Sequence, residues 1–296
     1  MNELKEKAFA KLNISLDVLY RRADGYHDLA MVMQTVSLCD EVRIVPHDGE
    51  TVRAVTNMGF IPGDERNLAV KAAKIFFSEA SVPFQGMDIE ITKNIPVGAG
   101  LAGGSADAGA VLRALNRAFG EPLDREGMIT AAEKIGSDVA FCTVGGTMLA
   151  EGRGERLTAL PPMPECAYVI VMPEFSVSTP ELFRKIDGKR LRCHPDTSGI
   201  VAALGTGDLR GICRRMYNVF EDVGDRRMRT IAEIKNRLLD CGALGAVMTG
   251  TGSAVFGVFG DRKTAGETAE ALKKEYRMAG AFENVPILIG QGMQNG

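Results

Sequence analysis

A glycine-rich stretch from Ile95 to Gly109, IPVGAGLAGGSADAG, stands directly before a helical pattern and is the first candidate for chemistry. Backbone N–H groups at the start of a helix are unpaired and carry partial positive charge, so they bind phosphate. Glycines let anionic oxygens approach those groups closely. The stretch therefore predicts a phosphate-binding loop, with Ser105 as the N-cap of the helix and Asp107 in its first turn.

Three kinds of loop can be compared with this pattern. A Walker A loop requires a lysine between glycine and serine, and Gly104 is followed directly by Ser105. The glycines also match the dinucleotide pattern G-x-G-x-x-G over residues 98–103. However, the preceding strand alternates with charges instead of forming an apolar run, and Pro96 separates it from the glycines. The pattern P-x-x-x-G-L followed by small residues favours a kinase phosphate loop, with a flexible loop or a close helix–strand contact as the minority alternative.

Hydrophobic periodicity predicts the elements that position this loop. In the first part of the chain these are strands at 7–20, MVMQTVSL, DEVRIVP and MDIEITKNI, a turn at Asp24-Gly25, and helices at 66–80, after the glycine loop and at 124–135. After the proline-rich segment 160–165 they are strands at CAYVIVMP, GALGAVMTG, SAVFGVFG and VPILIG, and helices at 179–186, within 196–222, at 225–240 and at 264–277. The second series has the order of a ferredoxin-like domain. We expect a two-domain α+β protein with antiparallel sheets, divided into residues 1–160 and 161–296.

Composition excludes several classes of function. The formal net charge of the 296 residues is −3, which argues against a nucleic-acid or membrane surface. The charged N-terminus is not a signal peptide, and the six scattered cysteines form no C-x-x-C pair, so we expect reduced thiols in a cytoplasmic protein and no zinc site. The three histidines lie far apart, which makes a histidine-rich metal centre improbable. We expect a monomer or a weak homodimer.

Together, the glycine loop, AKLNISLDVLYRRADGYHDL near the N-terminus and MTGTGSAVFGVF near the C-terminus resemble the GHMP kinase superfamily. The resemblance covers nearly the whole chain in order. It implies an N-terminal domain like the second domain of ribosomal protein S5, followed by a ferredoxin-like domain. DGYH and MQTVSLCDE are similar to the branch that phosphorylates a hydroxyl of 4-diphosphocytidyl-2-C-methyl-D-erythritol with ATP, on the non-mevalonate route to isoprenoid precursors.

The resemblance implies two catalytic residues. Asp138, in GSDVAF, matches the aspartate that accepts the proton of the attacking hydroxyl, and Lys11, in AKLN, matches the lysine that orients that site. An aspartate beside a lysine stays ionised and can receive a late proton. From the residues alone, Asp138 would be a helix cap and Lys11 an exposed strand position.

The resemblance also implies contacts to a substrate that carries a cytidine diphosphate group. Asn13 would hydrogen-bond the methylerythritol part, Tyr26 would stack on the cytosine, His27 would hydrogen-bond its edge, and Phe183 would form the opposite stacking face. Stacking is worth roughly 1–3 kcal/mol per base. Without the resemblance, Tyr26 and His27 form an exposed hairpin tip and Phe183 is a core residue.

For ATP the resemblance implies a larger set of contacts. These are Pro96, Val97, Gly98, Ala99, Gly100, Leu101, Ala102, Gly103, Gly104, Ser105 and Ala106 in the loop, Asn67 and Lys93 at the nucleotide end, and Thr251 and Gly252 in TGTGS. Mg²⁺ should accompany ATP, held mostly by phosphate and water, because no dedicated carboxylate cluster is evident. The sequence departs from the family pattern at Ala102, where a glycine is usual, and at Ala106, where a serine is usual.

Three alternatives remain at this stage. The first is another GHMP kinase, acting on homoserine, mevalonate or a sugar; DGYH and Phe183 argue against it because those substrates have no base to stack. The second is a non-catalytic RNA-associated protein, which the acidic balance opposes. The third is an NAD-dependent enzyme, and a fluorescence measurement of cofactor binding would distinguish it from a kinase.

Overall fold

The computed structural model describes residues 2–189, 191, 193–224 and 226–289. In chain order, the elements are β1 Leu4–Arg21, β2 His27–His47, β3 Val52–Thr56, α1 Leu68–Ala80, β4 Gly86–Thr92, α2 Gly103–Ala118, α3 Arg125–Glu133, α4 Val139–Val144, β5 Thr147–Gly152, β6 Arg156–Ala159, β7 Ala167–Met172, α5 Thr179–Asp187, α6 Thr197–Thr206, α7 Leu209–Cys213, β8 Tyr217–Asn218, a 3-10 turn at Val219–Asp222, α8 Arg227–Asp240, β9 Gly245–Met248, β10 Val255–Phe259, α9 Arg262–Leu272 and β11 Met278–Glu283.

The first sheet has the order β3-β4-β2-β1-β8, with β5 paired to β2 and β6 paired to β5. Helix α2 packs against β1, α1 and α4, and nearly all of its side chains from Ala106 to Asn116 are buried. This burial explains the many alanines and glycines of α2, because small residues let neighbouring backbones come close. A Cβ at Gly109, for example, would lie 2.8 Å from the carbonyl carbon of Cys142 in α4. Helix α2 therefore packs closely against α4 behind the glycine loop.

Strand β2 is longer than the sequence predicts. The segments MVMQTVSL and DEVRIVP were expected to form two strands, but one strand runs through both, from His27 to His47. The charged Asp40 does not interrupt the strand, because Oδ1 accepts the backbone N–H groups of Asn94 and Ile95. A buried carboxylate is tolerated where its hydrogen bonds are satisfied.

The second sheet is antiparallel, with the order β11-β7-β10-β9. This order and the helices between its strands agree with the predicted ferredoxin-like arrangement. The division of the chain at residue 160 stays a proposal. Strand β8 comes after that division, yet it pairs in parallel with β1 of the first sheet at Ser15 and Leu16.

The prediction of the last strand was wrong. VPILIG was expected to form it, but β11 is Met278–Glu283, which pairs with β7 along its whole length. The following residues cross to the first sheet and to α4, where Val285 donates its N–H to Thr35 in β2 and Leu288 donates to Val144 at the end of α4. Pro286 has no N–H to continue a ladder, which explains why an apolar segment forms isolated contacts instead of a strand. Gly290 lies outside the described residues.

Candidate active site

A cavity of about 1060 Å³ lies between the glycine loop, the β1–β2 hairpin, the start of α4, helix α5 and the turn after β9. Of the predicted site residues, the structure places these at its wall: Lys11, Tyr26, His27, Asn67, Lys93, Pro96, Val97, Gly98, Ala99, Gly100, Ala102, Gly103, Gly104, Ser105, Asp138, Phe183, Thr251 and Gly252. Leu101, Ala106 and Asn13 are not at the wall and are buried beneath it. The volume is that of a large ligand site.

The start of α2 differs from the prediction in one respect. The N-cap is Ala102 and not Ser105, and Ala102 has a left-handed backbone with φ 61° and no side chain that caps the helix. The first intrahelical bond is donated by Ala106 to the carbonyl of Ala102. Because an α-helix leaves its first N–H groups without intrahelical partners, those of Gly103, Gly104 and Ser105 are donors for an anion in the cavity.

Lys11 and Asp138 meet at the floor of the cavity. The Lys11 Nζ atom lies 3.6 Å from Asp138 Oδ2 and donates a hydrogen bond of 2.7 Å to Asn13 Oδ1. The Lys11 side chain is only 5% exposed, whereas that of Asp138 is 32% exposed, so the carboxylate is the group that faces a ligand. Asp138 occupies the N-cap position of α4 but makes no capping hydrogen bond. The helix-cap interpretation of Asp138 and the exposed-strand interpretation of Lys11 both fail.

Asn13 lies behind this pair. Its side chain is fully buried, and its Oδ1 accepts hydrogen bonds from Lys11 and, at 3.3 Å, from the hydroxyl of Thr249. Its backbone N–H donates to the same hydroxyl at 3.1 Å. In this structure Asn13 orients the ammonium of Lys11, and a direct contact with substrate stays a prediction.

Lys93 belongs to a buried ionic cluster with Asp40 and Asp107. Its ammonium donates to one oxygen of Asp40 and, at 2.6 Å, to Asp107 Oδ2. Burial raises the pKa of Asp107 to about 7, with Lys93 opposing that rise and Asp40 adding to it. The prediction that Asp107 lies in the first turn of α2 was wrong, because the helix begins at Gly103 and its first turn holds no acidic residue. Its bond to Lys93 ties α2 to the segment before the loop.

Asn67 is the N-cap of α1. Its Oδ1 accepts the N–H of Ala69 at 3.0 Å, and its Nδ2 donates to the carbonyl of Pro62 at 2.9 Å. This is the helix-start hydrogen bond that the residue type alone indicates. Asn67 also faces the cavity, so a contact with the nucleotide stays a prediction.

The turn after β9 reaches the glycine loop from the second sheet. A Cβ at Gly100 would lie 2.2 Å from the carbonyl oxygen of Thr249, and Ala254 donates its N–H to Ala99 at 3.1 Å. Gly100 has φ 78°, a left-handed conformation that favours glycine. On its other side, the turn contacts the start of α5 through the hydroxyls of Thr251 and Thr179, 2.7 Å apart.

Tyr26, His27 and Phe183 meet at another part of the cavity wall. The imidazole of His27 stacks on the ring of Phe183, with centroids 4.7 Å apart and 27° between the planes. The guanidinium of Arg153 lies 5.2 Å from the centroid of the Tyr26 ring, and Tyr26 is 56% exposed. A protein group thus already covers one face of each predicted stacking ring.

Several residues at the site were missed from the sequence. Asp187 accepts a hydrogen bond from His27, Arg153 covers Tyr26, and Asp40 completes the ionic cluster. Only Asp187 could have been found from the sequence. It lies four residues after Phe183, at the end of a predicted helix, and residues at that spacing share a helix face. The others act across large sequence separations that no local pattern reveals.

Comparison with known proteins agrees with this geometry. Residues 67–146 match the model of the GHMP kinases N terminal domain, and residues 200–277 match that of the GHMP kinases C terminal region. A 4-diphosphocytidyl-2-C-methyl-D-erythritol kinase of Geobacillus sp. (strain WCH70) is 43% identical over 85% of this chain and 86% of its own length. One of Clostridium kluyveri is 40% identical over 92% of this chain and 96% of its own. The chain belongs to this kinase family.

Solved structures extend the comparison to the fold. A crystal structure of 4-(cytidine 5'-diphospho)-2C-methyl-D-erythritol kinase has a TM-score of 0.78 and 32% identity, covering 95% of this chain and 98% of that one. A homoserine kinase from Cytophaga hutchinsonii has a TM-score of 0.76, at 21% identity over 98% of this chain and 96% of its own, and shows the shared fold alone. The predicted two-domain GHMP kinase fold is confirmed, and the chain is an ATP-dependent small-molecule kinase.

Membrane and metal features were also sought in the described part of the chain. None of its helices combines the length and the apolar character needed to span a bilayer. Within those same residues, no three histidine, cysteine, aspartate or glutamate side chains are grouped so that they could hold a metal ion.

Proposed function

We propose that the chain transfers the γ-phosphoryl group of ATP to a hydroxyl of 4-diphosphocytidyl-2-C-methyl-D-erythritol, giving the 2-phosphate and ADP. The observation that carries the mechanism is the Lys11–Asp138 pair, 3.6 Å apart in the cavity that the start of α2 also lines. Phosphoryl transfer needs positioned partners and stabilised charge more than a strong base. In this proposal Asp138 is the positioned partner of the hydroxyl, and Lys11 supplies the charge that stabilises it.

The phosphate end of ATP is proposed to lie on the glycine loop. The first N–H groups of α2 supply donors, and the helix dipole adds favourable charge. Gly98 is left-handed, and a Cβ there would have only Ser176 within 4 Å, so this part of the loop backbone is open to an approaching oxygen. The departures at Ala102 and Ala106 remove no backbone donor, so they are compatible with this role.

Asp138 is proposed to receive the proton of the attacking hydroxyl. As the O–H bond breaks, the oxygen forms a bond to the γ-phosphorus, the bond from that phosphorus to the leaving ADP oxygen breaks, and the proton moves to the carboxylate. Lys11 holds the carboxylate in place and stabilises negative charge near the reacting oxygen. Asn13 fixes Lys11 from behind through the 2.7 Å hydrogen bond.

The cytidyl group is proposed to occupy the part of the cavity lined by Tyr26 and His27. The cytosine would stack on the exposed face of Tyr26, while Arg153 covers the other face. Phe183 supports His27 through ring stacking and thereby shapes the site. This mode of binding would let the enzyme distinguish its substrate from homoserine, mevalonate and sugars, which carry no base.

Mg²⁺ is proposed to accompany ATP and to neutralise part of the charge on its phosphates. This cation commonly binds through phosphates and water with one or two carboxylates, so it needs no all-protein cage. Asp107 and Asp138 both line the cavity, which fits that donor set. However, Asp107 Oδ1 is fully buried and Asp107 Oδ2 is bonded to Lys93, which leaves Asp138 as the more accessible carboxylate.

The proposed setting is the cytoplasm, which is supported by the free state of all six cysteines. A monomer or weak homodimer, with a small molecule and not a nucleic acid as partner, stays part of the proposal.

An ADP-release assay with Mg²⁺ and ATP tests the function. It offers the cytidyl-linked methylerythritol, mevalonate and homoserine in parallel to the wild type and to Asp138→Asn. We expect release with the cytidyl compound alone, reduced by roughly 10²–10⁴-fold in the variant, the typical range for loss of a general base. Binding of ATP by the variant, followed by calorimetry, controls for folding. Release only with mevalonate or homoserine, or none from a wild type that binds ATP, would refute the substrate assignment.

A further inference from the structure

His27 and Asp187 form a directed hydrogen bond at the cavity wall. The imidazole Nε2 lies 2.7 Å from Asp187 Oδ1, and the other carboxylate oxygen lies 3.6 Å from Arg21 Nη1. The side chain of His27 is only 8% exposed, and stacking on Phe183 fixes the plane of the ring. The imidazole therefore presents its remaining nitrogen in a set direction.

The group that binds Nε2 of His27 determines whether the other ring nitrogen, Nδ1, donates or accepts a hydrogen bond. A carboxylate has acceptors only, so the proton of this hydrogen bond belongs to Nε2. In a neutral imidazole the other nitrogen, Nδ1, is then without a proton and is an acceptor. Among the contacts of the described residues, Nδ1 of His27 has no hydrogen-bond partner, so it is available to a ligand.

We propose that Asp187 is a specificity-determining positioning residue that selects cytosine over uracil. By holding the proton on Nε2, it makes Nδ1 of His27 an acceptor for the exocyclic amino group of cytosine. Uracil carries a carbonyl oxygen at that position, and two acceptors would face each other. This inference rests on the proposed function, because it places the base of the substrate beside His27.

The size of the effect follows from hydrogen-bond energetics. The mismatch with uracil loses one hydrogen bond and leaves two partly desolvated acceptors unpaired. The expected preference for a cytidine over a uridine ligand is on the order of ten- to a hundredfold in Kd. Asp187 itself would not need to touch the base.

Binding of CDP and UDP to the full chain by calorimetry tests the proposal. In Asp187→Asn the amide can donate to Nε2 as well as accept, so the proton can move to Nδ1 and the acceptor is no longer fixed. We expect the UDP-to-CDP Kd ratio to fall at least fivefold in this variant. The matched control is Glu181→Gln, the same change on α5, where the carboxylate pairs with Lys185 and Arg227. Its ratio should equal that of the wild type.

A spectroscopic measurement on the wild type keeps the proposal testable even if the variant folds poorly. The chain has three histidines, so ¹⁵N-histidine spectra compared with those of His27→Asn assign the signals of His27. We expect a proton on Nε2 and none on Nδ1. A proton on Nδ1, a wild type that does not distinguish CDP from UDP, or an unchanged ratio in Asp187→Asn would overturn the proposal. Continued phosphorylation of the cytidyl substrate would show that the proposed function survives that failure.

Discussion

Lys11 shows how much the role of one side chain depends on residues far along the chain. Its strand neighbours predict an ordinary polar position, yet its ammonium is buried against Asn13 and Asp138. A buried charge is costly unless it is paired and hydrogen-bonded, so this lysine needs both partners to be present. The position of Lys11 on a strand could be predicted from alternation. Its burial could not, because Asp138 reaches it from α4.

In the cluster of Asp40, Lys93 and Asp107, the buried carboxylates outnumber the ammonium groups. Two carboxylates share one ammonium in the interior, so the second carboxylate is stabilised less than the first. Burial is the main cause that raises the pKa of Asp107 to about 7, and the charge of Asp40 adds to the rise. This geometry was invisible in the sequence, where Asp107 was predicted to favour the helix dipole.

Replacement of Asp107 by asparagine should change how stability depends on pH. Between its unfolded pKa, about 4, and its folded pKa, about 7, Asp107 is protonated only in the folded state, so wild-type stability falls as pH rises through this window. The limiting slope is about 1.4 kcal/mol per pH unit. We expect Asp107→Asn to lack this contribution, so that its free energy of unfolding rises relative to wild type between pH 4 and 7.

Urea unfolding of both proteins at several pH values measures that difference directly. Titrating groups outside the cluster of Asp40, Lys93 and Asp107 are common to the two proteins and cancel. Parallel pH profiles would contradict the assignment of a raised pKa to Asp107.

At the scale of elements, the start of α2 carries a conformational cost. Ala102 adopts φ 61° as its N-cap, a left-handed conformation that only glycine adopts without penalty. The sequence comparison had marked Ala102 as a departure from the usual glycine. The structure supplies the physical meaning of that departure, because the chain turns into α2 at this residue.

We expect Ala102→Gly to stabilise the fold by up to about 1 kcal/mol, since it removes the left-handed strain at some cost in chain entropy. Ala106→Gly is the matched control, because it places the same residue inside the first turn of α2, where glycine costs about 1 kcal/mol relative to alanine. Thermal unfolding should therefore shift in opposite directions for the two variants. A lower melting temperature for Ala102→Gly would contradict the strain argument.

Periodicity predicted most elements but failed where tertiary contacts override it. The strand over 7–20, the helix over 66–80 and the alternation of strands and helices along the second part of the chain were predicted from alternation and spacing. The two-residue strand β8 was missed because its pairing with β1 is too short to leave a pattern. The segment VPILIG has the composition of a strand, but β11 already occupies the edge of β7 that it would need.

At the scale of the whole molecule, Thr249 joins the two sheets. It follows β9 of the second sheet, is fully buried, and its hydroxyl accepts the N–H of Asn13 in β1 and lies 3.4 Å from the carbonyl of Gly100. A single hydroxyl thus contacts the strand of Lys11 and the glycine loop. This hydroxyl adds to the backbone hydrogen bond of 3.2 Å that Lys11 donates to the carbonyl of Leu101 between the same two parts of the site.

Thr249→Val should lower the free energy of unfolding by about 1–3 kcal/mol, because it keeps the shape of the side chain but leaves the buried N–H of Asn13 without its acceptor. Thr251→Val, two residues later in the same turn, is the control. Its hydroxyl bonds Thr179 at the surface, and we expect a loss below about 0.5 kcal/mol. Equal losses in urea unfolding would show that the buried hydroxyl of Thr249 does not join the sheets in the manner described.

The contact between Asn13 and Thr249 also has a consequence for folding during translation, because its two residues are far apart in the sequence. A nascent chain that has emerged through residue 160 already carries Lys11, the glycine loop and Asp138. Helix α5 and the turn at Thr249 are translated later, and N-terminal parts of a chain generally begin to fold first. The ammonium of Lys11 therefore gains the support that Thr249 gives to Asn13 only after residue 249 has been translated.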